Sequence, residues 1–315
     1  MTLRWNLKGA LAAAMLLLCP TPAALAAGKG HVRVPVLLVA GQSNTDGRVP
    51  NSDMPDYLKS YGETHGGHYP YTQWCYGSAG RIQTGDSLSG SPFAPYWPFV
   101  AKPDLPQRHG YDAYVYYLLE QEWQQPFYVV KWSLGGTAIC PKASSTDGKH
   151  WCAMPDYLAA NESTLRGGKS LLKSFLEELD LCLDGPLSQL AEGYDIKAML
   201  WHQGESDYRQ GADYYEQLRA VVLYIRKHLV EKTGNKRYAS LPFICGTVSR
   251  QNRCYNAEVE AALYRLQHDL KHFYVIDMQH GQLQRDQLHF TAPSAEHLGR
   301  QMVEKMKKIG ATKLK

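Results

Sequence analysis

Residues 32–47, VRVPVLLVAGQSNTDG, decide the fold class of this 315-residue chain. The apolar run at 32–40 is rich in β-branched residues and has the length of a strand buried on both faces. It ends in a polar turn that runs from Gly41 to Gly47. A buried strand that leads into such a turn is typical of a parallel sheet, in which ligands bind beyond the carboxyl ends of the strands.

Downstream of this strand, short β-branched runs alternate with longer runs of helical periodicity. Because strands that alternate with helices form a parallel sheet covered on both faces, we predict an α/β fold. There is no internal repeat, low-complexity tract or linker, so residues 27–315 are predicted to form one domain. Further strands are predicted at 127–133, 196–202, 242–248 and 273–277, and helices at 111–123, 169–183, 212–231, 257–271 and 294–309.

Two segments break the alternation and are predicted to be long loop insertions, at 48–109 and 141–168. The first is rich in Gly, Pro, Tyr and Ser and shows no sustained period, which is unusual inside an α/β domain. Its aromatic side chains form either a platform for sugar rings or a satellite core under the loop. They are Tyr69, Tyr71, Trp74, Tyr76, Tyr96 and Trp97.

The first 26 residues have the pattern of an export signal. Arg4 and Lys8 precede an apolar run at 9–19, and Ala24-Leu25-Ala26 offers a cleavage site of small residues. The run is shorter than the roughly 20 residues needed to span a bilayer. We therefore expect the mature protein to be exported, secreted or periplasmic, and without a membrane anchor after signal removal.

Composition and charge argue against several classes of protein and of partner. Hydrophobic residues make up 44% and charged residues 20% of the chain, which argues against a disordered, collagen-like or coiled-coil protein. The formal net charge is +4, and removal of Arg4 and Lys8 lowers it to +2. Because this balance is near neutral, there is no electrostatic case for a nucleic acid partner.

Six cysteines follow the predicted export signal, and an even number of cysteines in an oxidising compartment favours disulfides. Local spacing suggests the pairs Cys140–Cys152 and Cys245–Cys254, and Cys152 would then pin the second insertion. Buried free thiols are the alternative. Because no CxxC pair is present, a zinc site is disfavoured. The two cysteines left over are Cys75 and Cys182.

The predicted strand ends carry the parts of a nucleophilic site. Ser43 follows the first strand and is the candidate nucleophile, and Asp286 and His289 are spaced so that the carboxylate can orient the imidazole. The amides of Gly135 or Gly136 can bind the oxyanion of an acyl-transfer intermediate. The side-chain amide of Gln203, after the strand at 196–202, is a further candidate for this oxyanion hole. The GxSxG elbow of lipases is absent around Ser43.

Four blocks of this sequence resemble the SGNH-type carbohydrate esterases, in the group named for sialate O-acetylesterase and acetylxylan esterase. The blocks are residues 41–44 (GQSN), 135–137 (GGT), 201–207 (WHQGESD) and 286–289 (DQLH). The resemblance implies a flavodoxin-like three-layer α/β/α sandwich with a central parallel sheet. It also implies removal of O-acetyl groups from sugars without a cofactor or metal.

Carried onto this sequence, the resemblance makes Ser43 the nucleophile, His289 the general base and Asp286 its orienting acid. The oxyanion hole would consist of the Ser43 amide, a Gly135 or Gly136 amide and the Gln203 side chain. Gln42, Asn44 and Glu205 are expected to support the site. Glu205 either holds the loop of Gln203 in place or is a second acid that competes for His289. Thr45 departs from the methionine common after GQSN, which puts the shape of the acyl pocket in doubt.

The sequence therefore predicts a secreted carbohydrate O-acetylesterase that works through a serine acyl-enzyme. A general carboxylesterase or acetyltransferase is the alternative among enzymes, and a non-catalytic glycan-binding protein is the alternative outside them. The expected partner is an acetylated carbohydrate, with xylan, xyloglucan, pectin and sialic acid all open. The oligomeric state is open as well.

Overall fold

The structure, a computed structural model, describes residues 32–85, 90–97 and 107–314. The predicted signal peptide at 1–26 lies outside these residues. The strands are β1 (Val34–Gly41), β2 (Val49–Pro50), β3 (Thr72–Ser78), β4 (Arg81–Ile82), β5 (Ala94–Pro95), β6 (Arg108–His109), β7 (Phe127–Ser133), β8 (Tyr194–His202), β9 (Phe243–Gly246) and β10 (Phe273–Ile276). The α-helices are α1 (Ser43–Asp46), α2 (Asp56–Thr64), α3 (Tyr111–Trp123), α4 (Pro155–Ala160), α5 (Leu171–Asp184), α6 (Gly211–Thr233), α7 (Ala257–Asp269) and α8 (Ala292–Lys308).

The described residues contain one large sheet with the strand order β10-β9-β8-β1-β7-β3-β4, in which β5 also pairs with β3. The strands from β10 to β3 pair in parallel, and only β4 and β5 run antiparallel to β3. β2 and β6 form a separate antiparallel pair. β1 lies between β7 and β8, so the polar turns that follow these three strands meet at one edge of the sheet.

The side chains of β1 show why the sheet is covered on both faces. Val36, Leu38 and Ala40 pack on one face with α5, α6 and α7, whereas Leu37 and Val39 pack on the other with α3 and α8. All five are fully buried. A continuous apolar strand of this kind needs helices on both sides. The predicted three-layer α/β/α sandwich is confirmed.

The predicted strands and helices outside the two insertions all form, with ends within three residues of the predicted ones. The first insertion differs from the prediction, because it contains α2 and contributes β3 to the sheet. β3 has the sequence TQWCYGS, whose polar residues conceal the strand from a hydrophobic pattern. Of the six aromatic residues named for this insertion, Tyr69, Trp74 and Tyr96 are buried against α3 as a satellite core, whereas Tyr71, Tyr76 and Trp97 are partly exposed.

The six cysteines of the described residues are all free thiols, so the predicted links Cys140–Cys152 and Cys245–Cys254 are not formed. Cys245 is wholly buried in β9, where its thiol donates to the Tyr274 carbonyl oxygen at 3.6 Å. Cys254 instead lines the cavity beyond the strand ends. The thiols of Cys140 and Cys152 both face polar side chains of α6, instead of each other.

In the ranges that the structure describes, none of the helices is both long and apolar enough to span a membrane.

Candidate active site

A tight turn places Ser43 at the edge of the sheet. Gly41 closes β1 with φ +149°, and a Cβ at this position would lie 2.2 Å from the His202 carbonyl oxygen, so only glycine fits. The same oxygen accepts a hydrogen bond from the Gln42 amide at 3.1 Å. The chain then enters α1 at Ser43, which is 4% exposed. The predicted nucleophile therefore lies between the ends of β1 and β8.

Asp286 and His289 form the predicted pair. Asp286 Oδ2 lies 2.6 Å from His289 Nδ1, and Asp286 Oδ1 accepts the amides of Leu288 and His289 at 2.9 and 3.0 Å. Burial raises the pKa of Asp286, but these two amides and the His289 ring outweigh it and hold the pKa below its ordinary value. The carboxylate is thus ionised and fixes the orientation of the imidazole.

Ser43 and His289 line the same cavity, whose volume is about 820 Å³. No direct hydrogen bond joins their side chains in the described part of the chain. Serine–histidine bonds are often long until substrate binds. The structure thus brings the predicted nucleophile and base to one cavity, with the base already oriented by its acid.

Asn44 connects the nucleophile turn to the histidine loop. Its Nδ2 donates to Glu205 Oε1 at 2.7 Å, and its Oδ1 accepts the Phe290 amide at 3.0 Å. Because Phe290 directly follows His289, this contact fixes the position of the base relative to Ser43. Asn44 is 5% exposed, so its bonds are shielded from water.

Glu205 has a structural role in this arrangement. It is buried and its Oε1 accepts from Asn44 and lies 3.1 Å from His202 Nε2. Burial raises the pKa of Glu205, but the charge and hydrogen bond of His202, together with Asn44, outweigh it and lower the pKa. Its side-chain partners are Asn44 and His202, and it makes no contact with His289 among the described residues, so it is not a second acid for that ring.

The predicted oxyanion donors Gly135 and Gly136 line the same cavity as Ser43. A Cβ at Gly135 would lie 3.3 Å from Ser43 Cβ and 2.5 Å from Arg48 Nη2. The Thr146 hydroxyl donates to the Gly135 carbonyl at 2.8 Å, and the Thr146 amide donates to the Gly136 carbonyl at 2.9 Å. The amides of Gly135, Gly136 and Ser43 donate to no acceptor among the described residues, so they are available to a ligand.

Gln203 lies elsewhere than predicted. It is fully buried, and its Nε2 donates to Asp207 Oδ2, Gln42 Oε1 and the Thr137 carbonyl at 2.6, 3.0 and 3.1 Å. An amide nitrogen has two hydrogens, so these acceptors occupy it completely. The Gln203 side chain does not line the cavity of Ser43.

Gln42 lines that cavity instead. Its Oε1 is held by Gln203 and by the amides of Gly204 and Ser206 at 3.4 and 3.2 Å. This fixes the side chain with its Nε2 free of any acceptor among the described residues. The sequence predicts only a supporting role for Gln42, because nothing in the GQSN block shows which atom of its amide is free.

Arg48 is a further residue of the site that the sequence analysis missed. Its Nη1 pairs with Asp46 and donates to the Gly47 carbonyl at 3.0 Å. Arg48 lines the cavity of Ser43 and also a second cavity of about 660 Å³. A single arginine in an irregular segment carries no pattern, so only the fold reveals this position.

No group of three side chains suited to hold a metal ion occurs in residues 32–85, 90–97 and 107–314. His202 and Glu205 lie 3.1 Å apart through Nε2 and Oε1, and His289 bonds to Asp286. The side chains that line the cavity include the hydroxyl of Ser43, the imidazole of His289 and the cations of Arg48, Lys142 and Arg209.

The hydroxyl, imidazole and free amides of this cavity are the groups that hydrolases of carboxylic esters use. Residues 165–308 match the family described as carbohydrate esterase, sialic acid-specific acetylesterase. This match confirms the resemblance to SGNH-type carbohydrate esterases that the sequence motifs indicate, and it supports acetylesterase activity. The matched segment contains Gln203, Glu205, Asp286 and His289, whereas Ser43 lies before it. No curated protein matches the chain in sequence.

Solved structures with the same fold include a protein from Arabidopsis thaliana, with 17% identity over 88% of this chain and 98% of that one, and a TM-score of 0.58. NanS has 13% identity over 89% and 98% of the two chains, with a TM-score of 0.59. The carbohydrate acetylesterase XAC1771 from Xanthomonas citri has 14% identity over 84% of this chain and 54% of that chain, with a TM-score of 0.52. At these identities the similarity establishes the fold.

Proposed function

We propose that this protein is an exported carbohydrate O-acetylesterase that works through an acyl-enzyme on Ser43. One observation carries the proposal: a single cavity is lined by Ser43, by His289, which Asp286 orients, and by backbone amides without an acceptor among the described residues. The family match at 165–308 supports the acetyl ester as the bond that is cleaved. The Arg4, Lys8 and small-residue pattern of the first 26 residues supports export.

In the first half of the reaction, Ser43 Oγ attacks the carbonyl carbon of the acetyl group while His289 Nε2 removes its proton. Asp286 holds Nδ1–H and stabilises the imidazolium as it forms. The bond between the carbonyl carbon and the sugar oxygen then breaks, and His289 returns its proton to that oxygen. The deacetylated sugar leaves and the acetyl group remains on Ser43.

In the second half, His289 removes a proton from a water molecule that attacks the acetyl-serine. The ester bond to Ser43 breaks, the proton returns to Ser43 Oγ, and acetate is released. Both halves pass through a tetrahedral oxyanion. A donor aimed at such an oxyanion is worth about 10²–10³ in kcat.

The structure favours a particular set of donors for this oxyanion. The amides of Ser43 and Gly135 or Gly136 have no other acceptor among the described residues, and Gln42 Nε2 lies free beside them. We assign Gln42 as the side-chain donor and Gln203 as the residue that holds it. Gln203 thus positions the oxyanion hole, although its amide is not part of it.

The decisive experiment is to measure acetate release by wild type and by Ser43→Ala. The variant is expected to fold normally and to lose nearly all activity toward an aryl acetate and toward acetylated glycans. A serine-directed phosphonate should label Ser43 and no other residue. Substantial activity in Ser43→Ala would contradict the assignment, and retention of residues 1–26 in protein recovered from outside the cytoplasm would contradict the signal.

A further inference from the structure

The second cavity lies next to the site and has no role in the proposed reaction. Its volume is about 660 Å³, and it shares only Arg48 with the cavity of Ser43. One wall is aromatic: the rings of Trp74 and Tyr76 stack at 5.1 Å with an interplanar angle of 7°, and Trp97 also lines the cavity. Aromatic faces of this kind pack against apolar faces of ligands.

Positively charged side chains outnumber carboxylates in the lining of this cavity. Four cations line it, Arg48, Arg81, Arg108 and Lys131, against two carboxylates. Asp112 pairs with Lys131 at 2.7 Å, and Asp46 pairs with Arg48. The two remaining arginines have no carboxylate partner among the described residues.

Arg108 is the more informative of the two. It is half-buried in the short strand β6, where burial and the neighbouring charge of Arg48 lower its pKa and outweigh the opposite effect of Asp46, the carboxylate that pairs with Arg48. A desolvated guanidinium beside another cation is costly unless an anion joins them. Arg81, which is exposed at the rim, supplies the second unpaired guanidinium.

Arg48 joins the two cavities. Its Nη1 is held by Asp46 and the Gly47 carbonyl, and its Nη2 lies near Gly135, within the oxyanion region. A sugar unit whose acetyl group reaches Ser43 occupies the first cavity. Because Arg48 lines both cavities, the second cavity is close enough to receive the neighbouring unit of the same glycan.

We propose that the second cavity is a subsite for a carboxylate-bearing sugar unit, a uronate, that adjoins the acetylated unit in the glycan. The pyranose ring packs against the partly exposed rings of Tyr76 and Trp97, which the buried Trp74 supports, and the carboxylate pairs with Arg108 and Arg81. Guanidinium groups bind planar carboxylates through two parallel hydrogen bonds, which gives both affinity and orientation. This inference deepens the proposed function and rests on it for the placement of the acetyl group.

Binding is tested first without catalysis. Ser43→Ala is titrated by calorimetry with an unacetylated, uronate-containing xylan or galacturonan oligosaccharide and with the same oligosaccharide after reduction of its carboxyl groups. We expect the acid form to bind about tenfold more tightly, as a charge-assisted contact implies. Equal binding of the two forms would overturn the proposal, and binding of only a free monosaccharide acid would overturn the adjoining-unit placement.

Variants then locate the contact. Arg108→Gln in the Ser43→Ala background should remove most of the preference for the acid form, whereas the matched change Arg219→Gln, on α6 and outside both cavities, should leave it intact. If Arg108→Gln does not fold, the same titration is made with Arg81→Gln, a change at an exposed residue. An undiminished preference of that variant for the acid form of the oligosaccharide overturns the assignment.

Catalysis separates this inference from the proposed function. In the otherwise wild-type enzyme, the ratio of kcat/KM for an acetylated uronate-containing oligosaccharide to that for its carboxyl-reduced form should fall about tenfold in Arg108→Gln. If wild type releases no acetate while Ser43→Ala still prefers the acid form, the proposed function fails and the subsite stands. If acetate is released without regard to the carboxylate, the subsite fails and the esterase stands.

Discussion

Asp286 and Glu205 are two carboxylates near one histidine, and the structure gives them opposite roles that mutation can separate. Asp286→Asn removes the acceptor that holds His289 Nδ1 at 2.6 Å, and an asparagine amide can turn to favour the wrong tautomer. In the serine proteases the corresponding change lowers kcat roughly 10⁴-fold. This is about 5 kcal/mol of transition-state stabilisation at 1.36 kcal/mol per factor of ten. The side chain of Asp286 is 41% exposed, so we expect the free energy of unfolding to change by less than about 1 kcal/mol.

Glu205→Gln is the matched control, because it makes the same chemical change at a carboxylate with no contact to His289. Glu205 is 2% exposed, and its Oε1 accepts from Asn44 and lies 3.1 Å from His202 Nε2. Its lowered pKa favours the ionised carboxylate, and loss of a buried charged partner costs about 3–5 kcal/mol. We therefore expect a melting temperature lower by roughly 10 °C, at about 2–4 °C per kcal/mol for a domain of this size, and a smaller loss of kcat than in Asp286→Asn.

The assay combines kcat for an aryl acetate with the thermal melting of both variants. The reverse pattern would refute the reasoning: near-normal kcat in Asp286→Asn, with kcat abolished and melting unchanged in Glu205→Gln. The orienting acid would then be Glu205, and the contact at His289 Nδ1 would be incidental.

Three further predictions concern other positions. Gln42→Glu keeps the oxygen that Gln203 holds but removes the donor, so kcat should fall by about 10²–10³ or more with the fold retained, and an unchanged kcat would exclude Gln42 from the oxyanion hole. Burial raises the pKa of Glu178, so the folded chain keeps it protonated while the unfolded chain ionises above about 4.5. Glu178→Gln should therefore melt higher than wild type at pH 8 and equally at pH 4, and an advantage independent of pH would contradict this. Alkylation of the denatured mature protein without reductant should modify all six cysteines from Cys75 to Cys254, and any pair protected from alkylation would show a disulfide.

The parts of the fold and site that could be predicted are those with a local signal. β1 and its turn could be predicted because an apolar run leads directly to Gly41-Gln42-Ser43. The turn needs a glycine at position 41, since a Cβ there would collide with the His202 carbonyl. The Asp286–His289 pair is equally local, since both residues lie on one turn in which Asp286 caps the amides of Leu288 and His289.

The parts that could not be predicted depend on contacts between distant segments. Gln42 and Gln203 are both buried amides after strands, and only their mutual hydrogen bond decides which one faces the cavity. Arg48 gains its position from Asp46 and from the approach of Gly135, which lies far along the chain. β3 lacks an apolar run because buried polar side chains in it find distant partners: the Thr72 hydroxyl donates to Glu120 Oε1 at 2.6 Å and the Cys75 thiol to Glu178 Oε1 at 3.3 Å.

The hydrogen bonds of Asn44 have a consequence for how activity arises during synthesis. Asn44 contacts Glu205 in the middle of the chain and the Phe290 amide near its end, so one side chain joins three segments made at different times. Domains emerge from the ribosome with their N-terminal part first. In the proposed mechanism Ser43 is therefore made long before His289, and the Asn44 oxygen lacks the Phe290 amide as a donor until that segment is made. The proposed reaction consequently cannot begin until α8 and the loop before it have docked on the sheet.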